Sequence, residues 1–177
     1  MGQSSYNGPS SPRRLTVSTT SDASITTTIN IMDTPFDPGE LTRQLSESTT
    51  TCGALVSFTG LVRDQANDPV NTLFLEHYPG MTEKALEDIV VEARDRWSLG
   101  PLIIVHRVGA LQPGEPIVFV GVTAAHRGEA FKACEFLMDY LKIKAPLWKK
   151  ESTPAGERWV ASRCSDEQAA ERWRDKS

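Results

Sequence analysis

No apolar run in this 177-residue chain approaches the ~20 residues that a membrane span needs, and no secretory apolar core follows its start. Tyr6 stands where a myristoylation signal wants Ser or Thr, and Arg13 and Arg14 precede no apolar stretch of the kind an export signal requires. The chain is read as soluble and cytoplasmic. Cysteine is scarce: Cys52, Cys134 and Cys164 are odd in number, widely spaced and without a CxxC pair, which argues against a disulfide framework and a zinc site. An excess of positive charge is missing too. With 19 Lys and Arg against 23 Asp and Glu, the formal charge is -4, so neither nucleic acid nor an anionic membrane is an expected partner, and any anion site must be local. Internal repeats are absent, and the length suits one sizeable core rather than two.

What is present starts late. Residues 1–25 are rich in Ser and Thr and almost devoid of large apolar groups, so ordering them would not be repaid; they are expected to be a disordered leader before a single catalytic domain over 26–177. ITTTINIMDT alternates like a strand. In FDPGELTRQL, Asp37 is the expected N-cap, Pro38 the first helical residue and Glu40 the capping-box partner. Ala54 to Val62 reads as a strand ending at Arg63, NTLFLEHY as another closed by Pro79 and Gly80. MTEKALEDIVVEARDRW has an apolar stripe of Ala85, Leu86, Ile89, Val90 and Ala93. Two strand-like segments then flank a Pro-Gly turn before a helix, HRGEAFKACEFLMDYLK, with Phe131, Cys134, Leu137, Met138 and Leu141 on its expected buried face. Pro146 ends it. Two short extended pieces and a terminal helix complete the order βαβββαββαββα, which predicts an α+β fold with a mixed or antiparallel sheet and packed helices.

The chemistry concentrates in DYLKIKAPLWKKE, which places Lys142, Lys144, Lys149 and Lys150 within nine positions of an acidic chain. Lys142 sits at a helix C-terminus, where the macrodipole alone favours a lysine and a substrate site fits equally. Lys149 and Lys150 are neighbours on an extended piece, so they point to opposite faces and only one can share a site with Lys142. A lysine packed against Trp148 and Pro146 would lose hydration and become reactive near neutral pH. His126 and Arg127 open a helix, which fits an anion site or a surface pair that caps the helix. Arg63 follows FTG, where Gly60 leaves room for close approach, but a solvated arginine at a strand end fits as well.

GALVSFTGLVRD, LEHYPGMTEKALEDIV, HRVGALQPGEPIVFVGVTAAHRGEAFKACEFLMDYLKIKAPLWKKE and GERWV together resemble the large, catalytic subunit of molybdopterin synthase, over about residues 52 to 174. The resemblance implies an α+β fold with a hammerhead-like β motif. It implies sulfur transfer from the C-terminal Gly-Gly thiocarboxylate of a small ubiquitin-like partner to cyclic pyranopterin monophosphate, forming the molybdopterin dithiolene, with no metal and no organic cofactor. It matches Lys142 and Lys149 to catalytic lysines, and Leu61, Val62, Arg63, His126, Arg127, Lys150, Glu151 and Arg163 to substrate-site positions. The loop RDQANDPVN departs from the pattern, lacking a histidine that some relatives carry. On this reading Lys149 engages the partner's C-terminus and Lys142 is the acid or base, or the reverse, while Arg63, His126 and Arg127 hold phosphate and pterin.

Two other classes use the same residues: a phosphate-binding or pterin-binding module without chemistry, and a sulfurtransferase carrying persulfide on Cys52 or Cys134. One distance bears on assembly. About 15 helical residues separate Arg127 from Lys142, or roughly 22 Å, more than one pterin phosphate spans. A homodimer with two shared sites, each flanked by one small subunit in a heterotetramer, is therefore expected.

Overall fold

The computed structural model describes residues 15–17, 26–64, 71–154, 156–160 and 164–174. In chain order the elements are β1 (Leu15–Val17), β2 (Thr27–Met32), α1 (Pro38–Glu47), β3 (Ala54–Leu61), β4 (Thr72–His77), α2 (Met81–Arg96), β5 (Leu99–Arg107), β6 (Gly109–Leu111), β7 (Pro116–Ala124), α3 (Arg127–Lys144), β8 (Leu147–Thr153), β9 (Gly156–Val160) and α4 (Cys164–Glu171). They build a five-stranded sheet of order β1-β2-β5-β7-β3 and a four-stranded sheet of order β6-β4-β8-β9. Among the described residues only β2 and β5 run parallel. The α+β class with a mixed sheet is the expected one.

The order of elements differs from the expected one in three places. Gly109 takes φ 80° just after β5, a left-handed conformation that breaks the apolar run and turns β6 onto β4 in the second sheet. Three strands therefore precede α3, against two in the expected order, while β3 and β4 alone lie between α1 and α2, where the expected order has three. Leu15–Val17, inside the expected leader, pairs antiparallel with β2, whose backbone would otherwise face no neighbour on that side. The rest of that leader lies outside the described residues.

Burial explains the apolar runs. One face of the five-stranded sheet packs α2 and α3 through Leu86, Ile89, Leu102, Ile104, Val120 and Phe136. The other face takes α1 through Leu45 against Ile103, Val105 and Phe119. Covered on both sides, β5 and β7 are buried almost throughout. Each fully enclosed Leu, Ile or Phe here contributes about 1.5–3 kcal/mol relative to exposure. Gly121 in β7 permits the α1 contact, since a Cβ there would overlap Leu45. A third cluster, Val62, Leu73, Leu75 and Leu111, lies under the second sheet.

Asp37 caps α1 as expected, accepting from the Gly39 and Glu40 amides at 2.8 and 3.4 Å, with Pro38 opening the helix. Glu40 does not complete a capping box. Its carboxylate pairs with Arg43 at 2.7 Å, because a charge-assisted bond one turn along outcompetes a neutral amide. On α3, Cys134, Leu137, Met138 and Leu141 are buried as expected, but Phe131 is 62% exposed. Ala130 and Ala133 take the inward positions at that end, and Phe131, about 100° round the helix from Ala130, points away. Trp173, just after α4, packs edge-on against Trp97 and Phe136 at 5.8 and 5.6 Å, closing the C-terminal segment onto α3. No helix among the described residues is long and apolar enough to cross a membrane.

Candidate functional site

Strand register decides what the lysine-rich segment presents. Leu75 pairs with Lys149, Leu73 with Glu151 and His77 with Leu147, and directly paired residues share a face. Leu73 and Leu75 are buried, so Lys149 and Glu151 lie on the inner face of the second sheet. Lys150 pairs with Phe74 and Trp159 on the outer face. The expected division of Lys149 from Lys150 is present.

The packing of a lysine against Trp148 does not fall to Lys149. Trp148 alternates onto the outer face opposite Glu76 and is 49% exposed, so it cannot strip water from a lysine on the inner face. Lys144 and Lys150 each hold a carboxylate of a neighbouring element. Lys144 reaches Glu92 at 3.0 Å and lies 3.9 Å above the Tyr140 ring, tying α3 to α2. Lys150 pairs with Glu157 and lies 5.9 Å above Trp159. Glu151 accepts from Arg158 at 2.7 and 2.9 Å. Lys142 occupies the exposed last turn of α3, and Lys149 is exposed as well.

Arg63 is placed by its neighbour. The register of β3 shifts between Gly60 and Leu61, and the space above Gly60 is filled by the Val118 side chain rather than left for a ligand. Val62 is buried, its amide donating to the Glu115 carbonyl at 2.9 Å and its carbonyl accepting from the Gly114 amide at 2.8 Å. Both backbone polar groups of Val62 are thus paired inside the protein, so its contribution to a site is to aim the exposed Arg63. Leu61 is 55% exposed beside it. The loop behind is held by Arg107, which is buried and reaches Glu115 at 3.6 Å and the Pro116 carbonyl at 3.4 Å.

These residues share one end of the five-stranded sheet. Leu61 pairs with Pro116, where β7 begins, and His106 pairs with Val118. From β7 the chain turns within two residues into α3, which runs back over β7 and β3 and returns Lys142 to the same end. His126, the N-cap, and Arg127 lie at the opposite end, past Ala124. β7 holds nine residues, so the two ends stand about 26 Å apart at ~3.3 Å per residue. One chain therefore brings Arg63, Lys142, Lys149 and Glu151 towards one end and leaves His126 and Arg127 at the other. Arg163 and most of the RDQANDPVN loop lie outside the described residues.

Sequence reasoning passed over two histidines. His106 is 3% exposed, with Nδ1 2.7 Å from the Arg107 carbonyl oxygen; burial, then the charges of Lys149 and His77, push its pKa down to about 4. His77 shares the inner face with Lys149, and its Nδ1 is buried with no hydrogen-bond partner among the described residues. A lone histidine within the run LIIVHRV carries no local signal, because only the sheet order brings it near position 149. Burial also acts on Cys134, pushing its thiol up to about 11 and leaving little thiolate at neutral pH.

A family model described as MoaE protein matches residues 31–144. The molybdopterin synthase catalytic subunit of Escherichia coli K12 is 59% identical over 140 residues, covering 78% of this chain and 93% of the relative. That of Pseudomonas aeruginosa PAO1 is 56% identical over 149 residues, covering 83% and 99%. Among solved structures, the molybdopterin biosynthesis MoaE protein from Burkholderia ambifaria MC40-6 is similar with a TM-score of 0.71 at 52% identity, covering 82% of this chain and 96% of that one.

Proposed function

Because the chain belongs to the MoaE family, we propose that it is the catalytic subunit of molybdopterin synthase, moving sulfur from a partner's C-terminal thiocarboxylate to cyclic pyranopterin monophosphate. The observation that carries this reading is the register that turns Lys149 to the inner face of the second sheet, at the end where Lys142 and Arg63 also stand. Lys144 ties α3 to α2 through Glu92, and Lys150 pairs with Glu157 across β8 and β9.

Both reactants are anions. Two unit charges 4 Å apart repel by about 4 kcal/mol at an effective dielectric of ~20, and cations placed between them offset that cost. Lys149 engages the thiocarboxylate tail and Lys142 moves protons at the carbon receiving sulfur, while Arg63 holds the phosphate. His126 and Arg127 belong to the same site only if a second copy supplies them. The active unit on this reading is a homodimer with two shared sites, each taking the tail of one small ubiquitin-like subunit to give a heterotetramer. The catalytic domain runs over 26–177, with β1 of the leader 1–25 paired onto its sheet, the setting is cytoplasmic, and sulfur comes with the partner rather than from a bound cofactor.

The test is conversion of cyclic pyranopterin monophosphate by the purified chain plus thiocarboxylated partner, read as dithiolene formation. Binding of the pterin with no dithiolene formed would assign the chain to non-catalytic binding instead.

The high pKa of Cys134 disfavours a persulfide route through that residue. Replacing Cys52, Cys134 and Cys164 together, with Ala, Ser or Val as packing requires, is expected to keep sulfur transfer within about threefold. The buried Cys134 site is the one expected to lower the melting temperature, through lost packing of about 1 kcal/mol. Loss of transfer in a folded triple variant would restore the persulfide route.

A further inference from the structure

β3 is the last strand of the five-stranded sheet, and no strand lies on its outer side among the described residues. Edge strands are ordinarily short, charged or broken by proline, because their unpaired amides and carbonyls invite another strand. The opposite edge, β1, has three residues, and β9 at the rim of the second sheet carries Glu157 and Arg158. β3 has eight residues, ALVSFTGL, with neither a charge nor a proline.

The helix above this edge is bare on the same side. Phe136 and Lys144 turn one flank of α3 towards Arg96 and Glu92 of α2, while Ala130, Leu137 and Leu141 go into the core. At 100° per residue, Arg127, Phe131, Met138 and Lys142 fall within about 60° of arc on the flank away from α2, above the β3 edge. Phe131 is 62% exposed there. Below it, Phe58 follows Val56 on the α3 side of β3 and is 41% exposed.

We propose that this flank, the β3 edge with the outer side of α3, is where a second copy of the chain docks, β3 pairing antiparallel with its own copy about a two-fold axis at Phe58. Helix and strand place that axis at the same point. An antiparallel pair of α3 helices that sets Arg127 opposite Lys142 of the other copy also sets Phe131 opposite Met138, with its centre between Cys134 and Glu135. Cys134 stands over β7, its Sγ donating to the Val120 carbonyl at 3.8 Å, and Val120 pairs with Phe58 in the middle of β3. The spacing agrees as well. α3 crosses both β7 and β3, so its axis lies about half a strand spacing inside β3, and with ~4.8 Å between the paired strands the two α3 axes come about 10 Å apart, a packed-helix distance. Eight strand residues and two layers give a flat footprint of about 26 Å by 20 Å, which interlocking side chains enlarge towards the ~800 Å² per partner of a stable interface. The inference rests on the reading of the active unit as a homodimer with shared sites, and it brings Arg127 of each copy to the end where Lys142 and Arg63 of the other stand.

The experiment measures mass in solution and cross-linking of the full chain. Phe131→Asp and Phe58→Asp are each expected to halve the mass, whereas Val91→Asp, at a site 55% exposed on α2, is expected to leave the dimer intact. Directly opposed residues of antiparallel strands have Cα atoms ~4.5–5.5 Å apart, a span that a disulfide bridges. Phe58→Cys, in a chain with Cys52→Ser and Cys164→Ser, is therefore expected to oxidise to a covalent dimer that reductant reverses, and Val91→Cys in the same chain is not. A dimer that survives both Asp substitutions overturns the proposal, as does a Phe58→Cys chain that cross-links no better than Val91→Cys. Should an Asp variant fail to fold, the cross-link decides alone. A wild-type chain that stays monomeric, alone and with the small partner, refutes the homodimer reading itself before any variant is made, so the two failures are distinct.

Discussion

Lys149→Ala is expected to cut dithiolene formation by at least ~10²-fold, the contribution typical of one positioned proton-transfer or charge-stabilising group. The fold should survive. Lys149 is exposed on β8, and its strand pairing with Leu75 and Val160 uses backbone groups that alanine retains. Surface changes of this kind shift stability by about 0.5 kcal/mol or less, which melting will read. Complex formation with the small partner should persist in large part, because an interface of ordinary size draws on many residues beyond one tail contact. The pattern expected is therefore a folded, partner-binding and inactive chain. Near-normal turnover would remove Lys149 from the chemistry, and a folded variant that no longer captures the partner would make it a docking residue.

Mixing two inactive chains, Lys142→Ala and Arg127→Ala, is expected to restore roughly a quarter of wild-type activity through a two-fold dimer with shared sites. Half of randomly assorted dimers are hybrids. In each hybrid one site lacks both groups and the other has both, so half of the hybrid's sites are whole. The expectation follows from α3, which places Arg127 in its first turn and Lys142 in its last. Co-expression with two affinity tags isolates the hybrids, for which the expected activity rises to about half of wild type, and removes subunit exchange as a variable. Confirmed hybrids without activity would put both residues to work in a single-chain site, or remove Arg127 from the site.

Local rules make much of the fold legible in the sequence, and the differences have common physical causes. Asp37 and Pro38 announced a helix start because capping depends on residues two or three apart, and Lys149 and Lys150 divided between faces because alternation is a local rule. Phe131 was assigned inward from its apolar character, whereas close contact of helix and sheet favours small Ala130 and Ala133. Trp148 was given a packing role that alternation gives instead to the inner-face neighbours of Lys149. Gly60 was given room for a ligand that Val118 fills. His106 and Arg107 went unnoticed for a different reason: their partners are set by sheet order, and neither composition nor spacing encodes which strands become neighbours.

On the shared-site reading the two ends of α3 serve different sites of the dimer, which makes the helix a ruler whose gradation is the residue. Substitutions along its outer side leave the ruler unchanged. Inserting one residue at its middle turns one end about 100° against the other and lengthens the rod by ~1.5 Å; a four-residue insertion nearly restores the facing but displaces the end by ~6 Å. The count between Arg127 and Lys142 is thus constrained more tightly than the identities of the exposed residues between them, and tolerance to change along α3 should be high for letters and low for spacing.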